Sequence, residues 1–145
     1  MKFVHCAVAA IATGALLGFI WPANADPMPM DQEITVNGIQ TACSGIGDEP
    51  KQDPRWATYP IRVEFSNGGQ QYLAGAHVTL SKGGKPLAVL DCSGAWVLFK
   101  LQPGTYKVSA TVTDQAGAGE RSATFSPPAS GQKRVILDYH VAPNQ

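Results

Sequence analysis

The side chains that could bind a metal ion are few and widely spaced in this chain. Asp48, Glu49 and Asp53 place three carboxylates in one segment, but their spacing does not follow the register of a calcium-binding EF-hand loop. His77 and His140 lie far apart, without the short-spaced partners that zinc sites use. The sequence therefore predicts no metal ion and no cofactor, and solvated loop charge accounts for the carboxylates.

Nucleophilic catalysis finds equally little support. Ser44 and Ser93 each precede a glycine, but neither has the strand–turn–helix setting of a nucleophile elbow. A catalytic cysteine needs a positioned base, and the residues near Cys43 and Cys92 supply none. No pair of carboxylates stands out for hydrolysis across a cleft. We therefore expect that the protein is not an enzyme.

The N-terminal segment has the three parts of a secretory signal peptide. Residues 1–2 give a basic start, residues 3–20 are mostly apolar, and residues 23–25 (Ala-Asn-Ala) form a small-x-small cleavage site. We predict that residues 1–25 are removed by cleavage after Ala25 and that the protein is periplasmic or secreted. The alternative is an uncleaved membrane anchor, against which the glycines and the proline of this segment count.

Residues 26–145 suit a single domain with a hydrophobic core of its own. Eleven Lys and Arg side chains balance eleven Asp and Glu side chains over the whole sequence. This balance argues against nucleic acid as a partner, because such binding depends on a basic surplus. No apolar stretch after the cleavage site is long enough to span a bilayer, so we predict no integral membrane segment.

The cysteines reinforce the prediction of export. Cys6 would leave with the signal peptide, which leaves Cys43 and Cys92, 49 positions apart. In an oxidising compartment, two cysteines most simply form one disulfide. Closing a loop of this length is expected to stabilise the fold by roughly 4 kcal/mol. The alternative is a pair of free thiols.

Short alternating runs between Gly, Pro, Asn and Asp indicate an all-β chain, with no helical periodicity. In residues 61–66, Ile61, Val63 and Phe65 alternate with polar side chains, which predicts one buried face and one face in water. We predict a single antiparallel β-sandwich of about seven or eight strands; a closed barrel is the alternative. The predicted strands cover residues 33–42, 61–66, 72–82, 85–91, 96–100, 105–113, 121–125 and 133–139, and residues 43–59 form a long loop.

Three segments carry a more specific pattern: 75–80 (GAHVTL), 91–94 (DCSG) before an apolar strand, and 101–108 (LQPGTYKV). This pattern resembles the carboxypeptidase regulatory-like family, whose members are transthyretin-like or prealbumin-like sandwiches. The resemblance covers residues 60–112 and extends over the last strands, so residues 60–140 form the family-like core. Residues 33–59, a strand and a loop, have no counterpart in it.

The matching motif has a structural purpose. Pro103 presets the backbone for a turn, Gly104 gives the next position freedom, and Gly94 allows the chain to reverse. Tyr106 is predicted to place its ring in the core and to need a partner for its hydroxyl. The resemblance implies a non-catalytic accessory module that binds partners or spaces other domains. Cys92 in the turn departs from the family pattern.

Two aromatic side chains in the long loop give a hint of function. Trp56 and Tyr59 lie in a polar segment, and exposed aromatic rings can anchor a protein partner or stack on a sugar. We therefore predict an exported structural or protein-interaction module, with a carbohydrate-binding module as the alternative. A purely structural interpretation is that Trp56 caps the sandwich and holds the loop down.

Overall fold

The computed structural model describes residues 24–68 and 71–140. The predicted signal peptide, apart from Asn24 and Ala25, lies outside the described residues. Within them, ten strands form two five-stranded sheets that pack face to face. In chain order the elements are β1 (Asp26–Pro27), β2 (Glu33–Val36), β3 (Ile39–Ser44), α1 (Asp48–Gln52), a 3₁₀ turn (Trp56–Thr58), β4 (Ile61–Ser66), β5 (Ala76–Lys82), β6 (Lys85–Cys92), β7 (Trp96–Lys100), β8 (Tyr106–Val112), a second 3₁₀ segment (Thr113–Ala118), β9 (Arg121–Phe125) and β10 (Lys133–Asp138).

The all-β sandwich is confirmed, but its predicted antiparallel character is wrong. Sheet A has the order β1-β6-β5-β8-β9, and sheet B has the order β10-β4-β7-β3-β2. Strand β1 runs parallel to β6, and β10 runs parallel to β4 along its whole length. An alternating sequence buries one face in either orientation, so the residue pattern alone does not distinguish parallel from antiparallel pairing.

The predicted first strand, residues 33–42, is a hairpin of two strands. Asn37 and Gly38 both have positive φ angles, 49° and 80°, and they reverse the chain between β2 and β3. Two successive positive φ angles are what a type I′ hairpin turn requires, and Asn-Gly is the dipeptide that favours it. The sequence signal for the hairpin was therefore present, and the structure has more strands than we predicted.

The main hydrophobic core lies between the sheets and follows the alternation of the strands. In β5 and β8, every second side chain is buried, which gives Val78 and Leu80 a shared environment with Val108 and Ala110. Because side chains alternate across a strand, these positions face the opposite sheet. We refer to this cluster as the main core; its largest members include Ile61, Phe65, Phe99, Leu80, Leu90 and Tyr139.

The predicted disulfide between Cys43 and Cys92 is confirmed. Its sulfur atoms are buried in the main core, and the Cα atoms lie 5.6 Å apart. Cys43 belongs to β3 in sheet B and Cys92 ends β6 in sheet A, so the bond joins the two sheets. The assignment of Cys43 to a long loop and of Cys92 to a turn was wrong, since both are strand residues.

The predicted turn residues occupy crowded or unusual backbone positions. A Cβ atom at Gly94 would collide with the backbone carbonyl of Ser44. Gly104 follows Pro103 and has a φ of 150°, which residues with side chains rarely adopt. Tyr106 is buried, and its hydroxyl donates a hydrogen bond to the Gln102 carbonyl at 2.8 Å. This bond ties the turn before β8 to the strand that follows it.

Candidate functional site

Residues 45–60, which we call the cover segment, lie on the outer face of sheet B. The segment contains α1 and the first 3₁₀ turn, so the predicted long loop is partly helical. Its aromatic side chains pack on outward-facing residues of β3 and β7 and form a second cluster, the outer core. The members of the outer core are Ala42, Trp56, Tyr59, Ala95, Trp96 and Leu98.

Trp56 and Tyr59 are therefore interior residues. Their side chains are 2% and 0% exposed, so neither ring presents a face to solvent. The contact with a protein or glycan that we predicted for these rings required exposure, and the structure does not provide it. The rings are buried because removing large aromatic surface from water is favourable. Trp56 has the position expected of a residue that holds the cover segment against the sheet.

Hydrogen bonds join the cover segment to residues elsewhere in the chain. Gln132 donates hydrogen bonds from Nε2 to the backbone carbonyls of Trp56, at 2.7 Å, and Tyr59, at 3.0 Å. The Tyr59 hydroxyl donates to Glu33 Oε1 at 3.0 Å. Burial, together with this neighbouring carboxylate, raises the pKa of Tyr59 well above its ordinary value, since both disfavour the phenolate.

Arg55 makes several contacts on the exposed side of the cover segment. The Arg55 guanidinium binds the Asp53 carboxylate at 2.7 Å and lies 4.6 Å from the Trp56 ring centroid. It also donates to the Asp31 carbonyl, which precedes β2. The hydrogen bonds from Arg55 lower the pKa of Asp53. The charges of Asp53 and Arg55 therefore have partners within the protein.

Glu64 corrects the prediction that the polar face of β4 is wet. Its side chain is 0% exposed, and the arginines of its own strand and of β10 enclose it. Arg134 on β10 donates to both Glu64 carboxylate oxygens, with the shortest contact at 2.6 Å. Arg62 Nε lies 2.9 Å from Oε1 as an ion pair, without hydrogen-bond alignment, and its guanidinium stacks 4.3 Å from Trp96.

An aromatic side chain that the sequence analysis did not single out lies beside this ion pair. Tyr72 is 42% exposed, and its hydroxyl accepts a hydrogen bond from Arg134 Nη2 at 3.2 Å. Lys51 from α1 lies 5.8 Å from the ring centroid. Ile136, 51% exposed, follows Arg134 on the same face of β10. We refer to Lys51, Tyr72, Arg134 and Ile136 as the Tyr72 patch.

A second arrangement with chemical interest lies on the outer face of sheet A. His77 Nδ1 and Asp91 Oδ1 are 2.7 Å apart on neighbouring strands, and both side chains are exposed. With Ser93 and Thr113 they line a shallow hollow of about 270 Å³ beside Cys92. In the described part of the chain, no hydroxyl group is hydrogen-bonded to the His77 ring, so this pair lacks the nucleophile of a catalytic triad.

The residues that the structure describes contain no group of three or more His, Cys, Asp or Glu side chains that could hold a metal ion. None of their helices is long and apolar enough to cross a membrane.

Comparison with known proteins gives no relative for this chain. It matches no protein-family model, and no curated protein is significantly similar to it. The resemblance to the carboxypeptidase regulatory-like family, drawn from segments 75–80, 91–94 and 101–108, therefore stays a prediction. The function has to be argued from the geometry.

Proposed function

We propose that this protein is an exported, non-catalytic β-sandwich module that acts by binding a protein partner. The Tyr72 patch is the observation that carries this proposal. It combines an exposed tyrosine, a half-exposed arginine and an exposed isoleucine. Tyrosine and arginine are the side chains that most often dominate binding energy at protein interfaces.

The buried ion pair makes the patch rigid. Glu64 holds the Arg134 guanidinium through three hydrogen bonds, and Arg134 in turn holds the Tyr72 hydroxyl. A side chain that is already fixed loses less conformational entropy when a partner binds. The same hydrogen bonds raise the pKa of Arg134, so its charge is retained. Preorganisation of this kind favours a binding surface.

Two observations support export and the absence of catalysis. The buried disulfide between the sheets suits a protein of the periplasm or the cell exterior, where such bonds persist. Glu64, on the outer face of sheet B, is used in internal ion pairs with Arg62 of the same strand and Arg134 of β10. The Glu64 carboxylate is fully buried between two arginines, so it has no free face for substrate.

A carbohydrate ligand is the second candidate. Tyr72 offers an exposed ring, Arg134 donates a hydrogen bond to its hydroxyl, and the Lys51 ammonium lies 5.8 Å from the ring centroid. Aromatic rings with adjacent donors suit the apolar face and hydroxyls of a sugar. The exposed Ile136, on the same face of β10 as Arg134, favours the protein partner, because an aliphatic side chain adds apolar area without a donor or acceptor for a sugar.

The test compares three purified forms of the protein: wild type, Tyr72→Ala and Thr111→Ala. Thr111 is exposed on the outer face of sheet A and serves as the matched surface control. We expect a periplasmic protein to co-purify with the wild type and with Thr111→Ala, and to be lost with Tyr72→Ala. Equal capture by all three forms would overturn the role of the Tyr72 patch.

The same three forms decide between the two ligand classes. Binding to a glycan array that depends on Tyr72, with no dependent protein partner, would replace the protein-interaction proposal by the carbohydrate one. Export is tested separately by N-terminal sequencing of the protein recovered from the periplasm or medium, where we expect Asp26 as the first residue. A protein that keeps residues 1–25 in the membrane would contradict export.

A further inference from the structure

One end of the sandwich is open between the sheets. The β2–β3 hairpin, the β5–β6 hairpin and the turn between β7 and β8 meet there and surround a hollow of about 370 Å³. We refer to it as the open-end hollow. Its volume falls within the range of small-molecule sites, roughly 300 to 1,000 Å³. It lies apart from the Tyr72 patch, and it has no role in the function proposed above.

The walls of the hollow are mostly apolar. Ile39 comes from sheet B, Leu101 from the turn, and Tyr106 from sheet A. Ile39 and Leu101 are partly exposed and pack against the main core, which Tyr106 joins directly. Ile39 and Leu101 therefore expose apolar surface at this end, and an apolar group that fills the hollow would remove that surface from water.

A β-bulge between β5 and β6 lies next to the hollow, and its unpaired residue, Leu87, adds an apolar side chain to the wall. The pairing of β5 with β6 runs from Leu80 opposite Ala88 to Ser81 opposite Pro86, which leaves Leu87 without a partner residue. The side chain of Leu87 lines the hollow and contacts the main core, and its carbonyl accepts a hydrogen bond from Asn37 at 2.9 Å. Bulges often redirect side chains next to binding sites.

A cation without a counter-charge lies at the rim. The Lys82 ammonium is 5.0 Å from the Tyr106 ring centroid, and within the described residues no carboxylate lies within 4.0 Å of it. Lys85 faces Lys82 across the hairpin turn, which adds positive charge. Lys100, which also lines the hollow, differs because its ammonium is held by Glu33 at 3.9 Å and by the Tyr59 ring.

From these features we propose that the open-end hollow binds a small amphiphilic anion. The apolar body of the ligand would pack on Ile39, Leu87 and Leu101, and its anionic group would pair with the Lys82 ammonium. The chemical class is a carboxylate or sulfonate attached to an aromatic or branched aliphatic group. Apolar walls with one placed charge are the usual composition of such sites.

The probe for the test is 8-anilino-1-naphthalenesulfonate, a fluorescent anion with an apolar body. We expect saturable binding to the native wild-type protein. Lys82→Gln should weaken the affinity by about fivefold, the upper value for an exposed ion pair. Leu87→Ala should weaken it by about tenfold through lost apolar contact, provided that thermal melting shows the variant to be folded.

Lys107→Gln is the matched control. Lys107 pairs with Ser81, one strand away from Lys82, but it is exposed on the outer face of sheet A. We expect its loss to leave the affinity unchanged. The neutral analogue N-phenyl-1-naphthylamine should bind wild type and Lys82→Gln equally.

Three results would overturn the proposal. The first is that the wild-type protein does not bind the anionic probe at millimolar concentration. The second is equal weakening by Lys82→Gln and Lys107→Gln, which would indicate general attraction to positive charge. The third is binding that induces amide chemical-shift changes away from Ile39, Leu87 and Tyr106.

Discussion

The main core and the outer core differ in how the chain builds them. The main core takes alternate residues from both sheets, such as Val78 and Phe65, and the disulfide closes it. The outer core takes residues from the opposite faces of β3 and β7 and covers them with Trp56 and Tyr59. Sheet B is thus covered on both faces at β3 and β7, while Arg134 and Ile136 of its edge strand β10 stay exposed. Among the described residues, no second hydrophobic cluster covers the outer face of sheet A.

The polar residues on the outward faces of the strands differ between the two sheets as well. The outward residues of β8 in sheet A, Lys107, Ser109 and Thr111, remain at least partly exposed. On the outward face of β4 in sheet B, Glu64 and Ser66 are buried and Arg62 is partly exposed. Glu64 is enclosed because Arg62 and Arg134 both pair with it.

The disulfide provides the largest test of the comparison. We expect the double variant Cys43→Ala/Cys92→Ala to lower the free energy of unfolding by about 4 kcal/mol, because it releases a long loop in the unfolded chain. Urea denaturation would measure the change. Trp56 and Trp96 both belong to the outer core, so their fluorescence reports that core while circular dichroism reports both sheets.

Coincident fluorescence and dichroism curves would show that the two cores unfold together. Separate transitions would show that the outer core is an independent unit, and the comparison would then describe two folding units. A variant as stable as the wild type would contradict the stabilising role of the disulfide.

Removal of Trp56 tests the outer core itself. Trp56→Ala should cost about 3 kcal/mol, as for other large aromatic side chains deleted from a core. Thr111→Ala, on the uncovered face of sheet A, should stay within about 0.5 kcal/mol of the wild type. Urea midpoints of the two variants give the comparison directly. Equal small losses would mean that the cover segment contributes little to stability.

Glu64 tests the polar part of the covered face. Glu64→Gln keeps the shape but removes the charge that pairs with Arg62 and Arg134, and we expect a loss of about 2 kcal/mol in the free energy of unfolding. Asp53→Asn, in the exposed pair with Arg55, should change stability far less, because water screens that pair. If both variants have equal stability, Glu64 is not electrostatically enclosed.

The smallest expected effect comes from two of the buried tyrosines, Tyr139 in the main core and Tyr59 in the outer core. The Tyr139 hydroxyl donates to the Ala110 carbonyl, and burial raises the pKa of Tyr139 to about 12 from an ordinary value of 10.0. Because the folded-state pKa is raised, this contribution to stability is complete below pH 10 and is lost as the pH rises toward 12. Tyr59 acts in the same direction.

The measurement is the urea midpoint as a function of pH over that window. Tyr139→Phe and Tyr59→Phe should each flatten the decline, because the group that ionises is absent. An unchanged slope in both variants would show that other groups cause the loss. A smaller effect for Tyr59 than for Tyr139 would indicate that water reaches the outer core more easily.

Part of the fold was predictable from local pattern. The predictions for residues 96–100 and 121–125 match β7 and β9, and those for residues 85–91 and 133–139 differ from β6 and β10 by one residue at the end. Alternation and turn residues act over a few positions, so they are readable in sequence. The hairpin at Asn37-Gly38 also has a local signal, in a segment for which we predicted one continuous strand over residues 33–42.

The candidate site was much less predictable. Trp56 and Tyr59 are aromatic residues in a polar segment, and nothing local tells whether they face water or another part of the chain. Tyr72 and Arg134 are 62 positions apart, and their contact depends on the position of β10 beside β4. Such a contact is non-local, so neither residue carries a signal of it.

The sequence by itself determined the residues that alternate, the turns, and the availability of two cysteines for one bond. These follow from backbone conformations and side-chain spacing, which each short segment carries within itself. The tertiary structure alone decided that β10 runs parallel to β4, that Arg134 of β10 encloses Glu64, and that Tyr72 is exposed. These properties depend on which apolar surfaces, distant in the sequence, pack against each other. The free energy gained by burying those surfaces depends on the whole fold and not on any one segment.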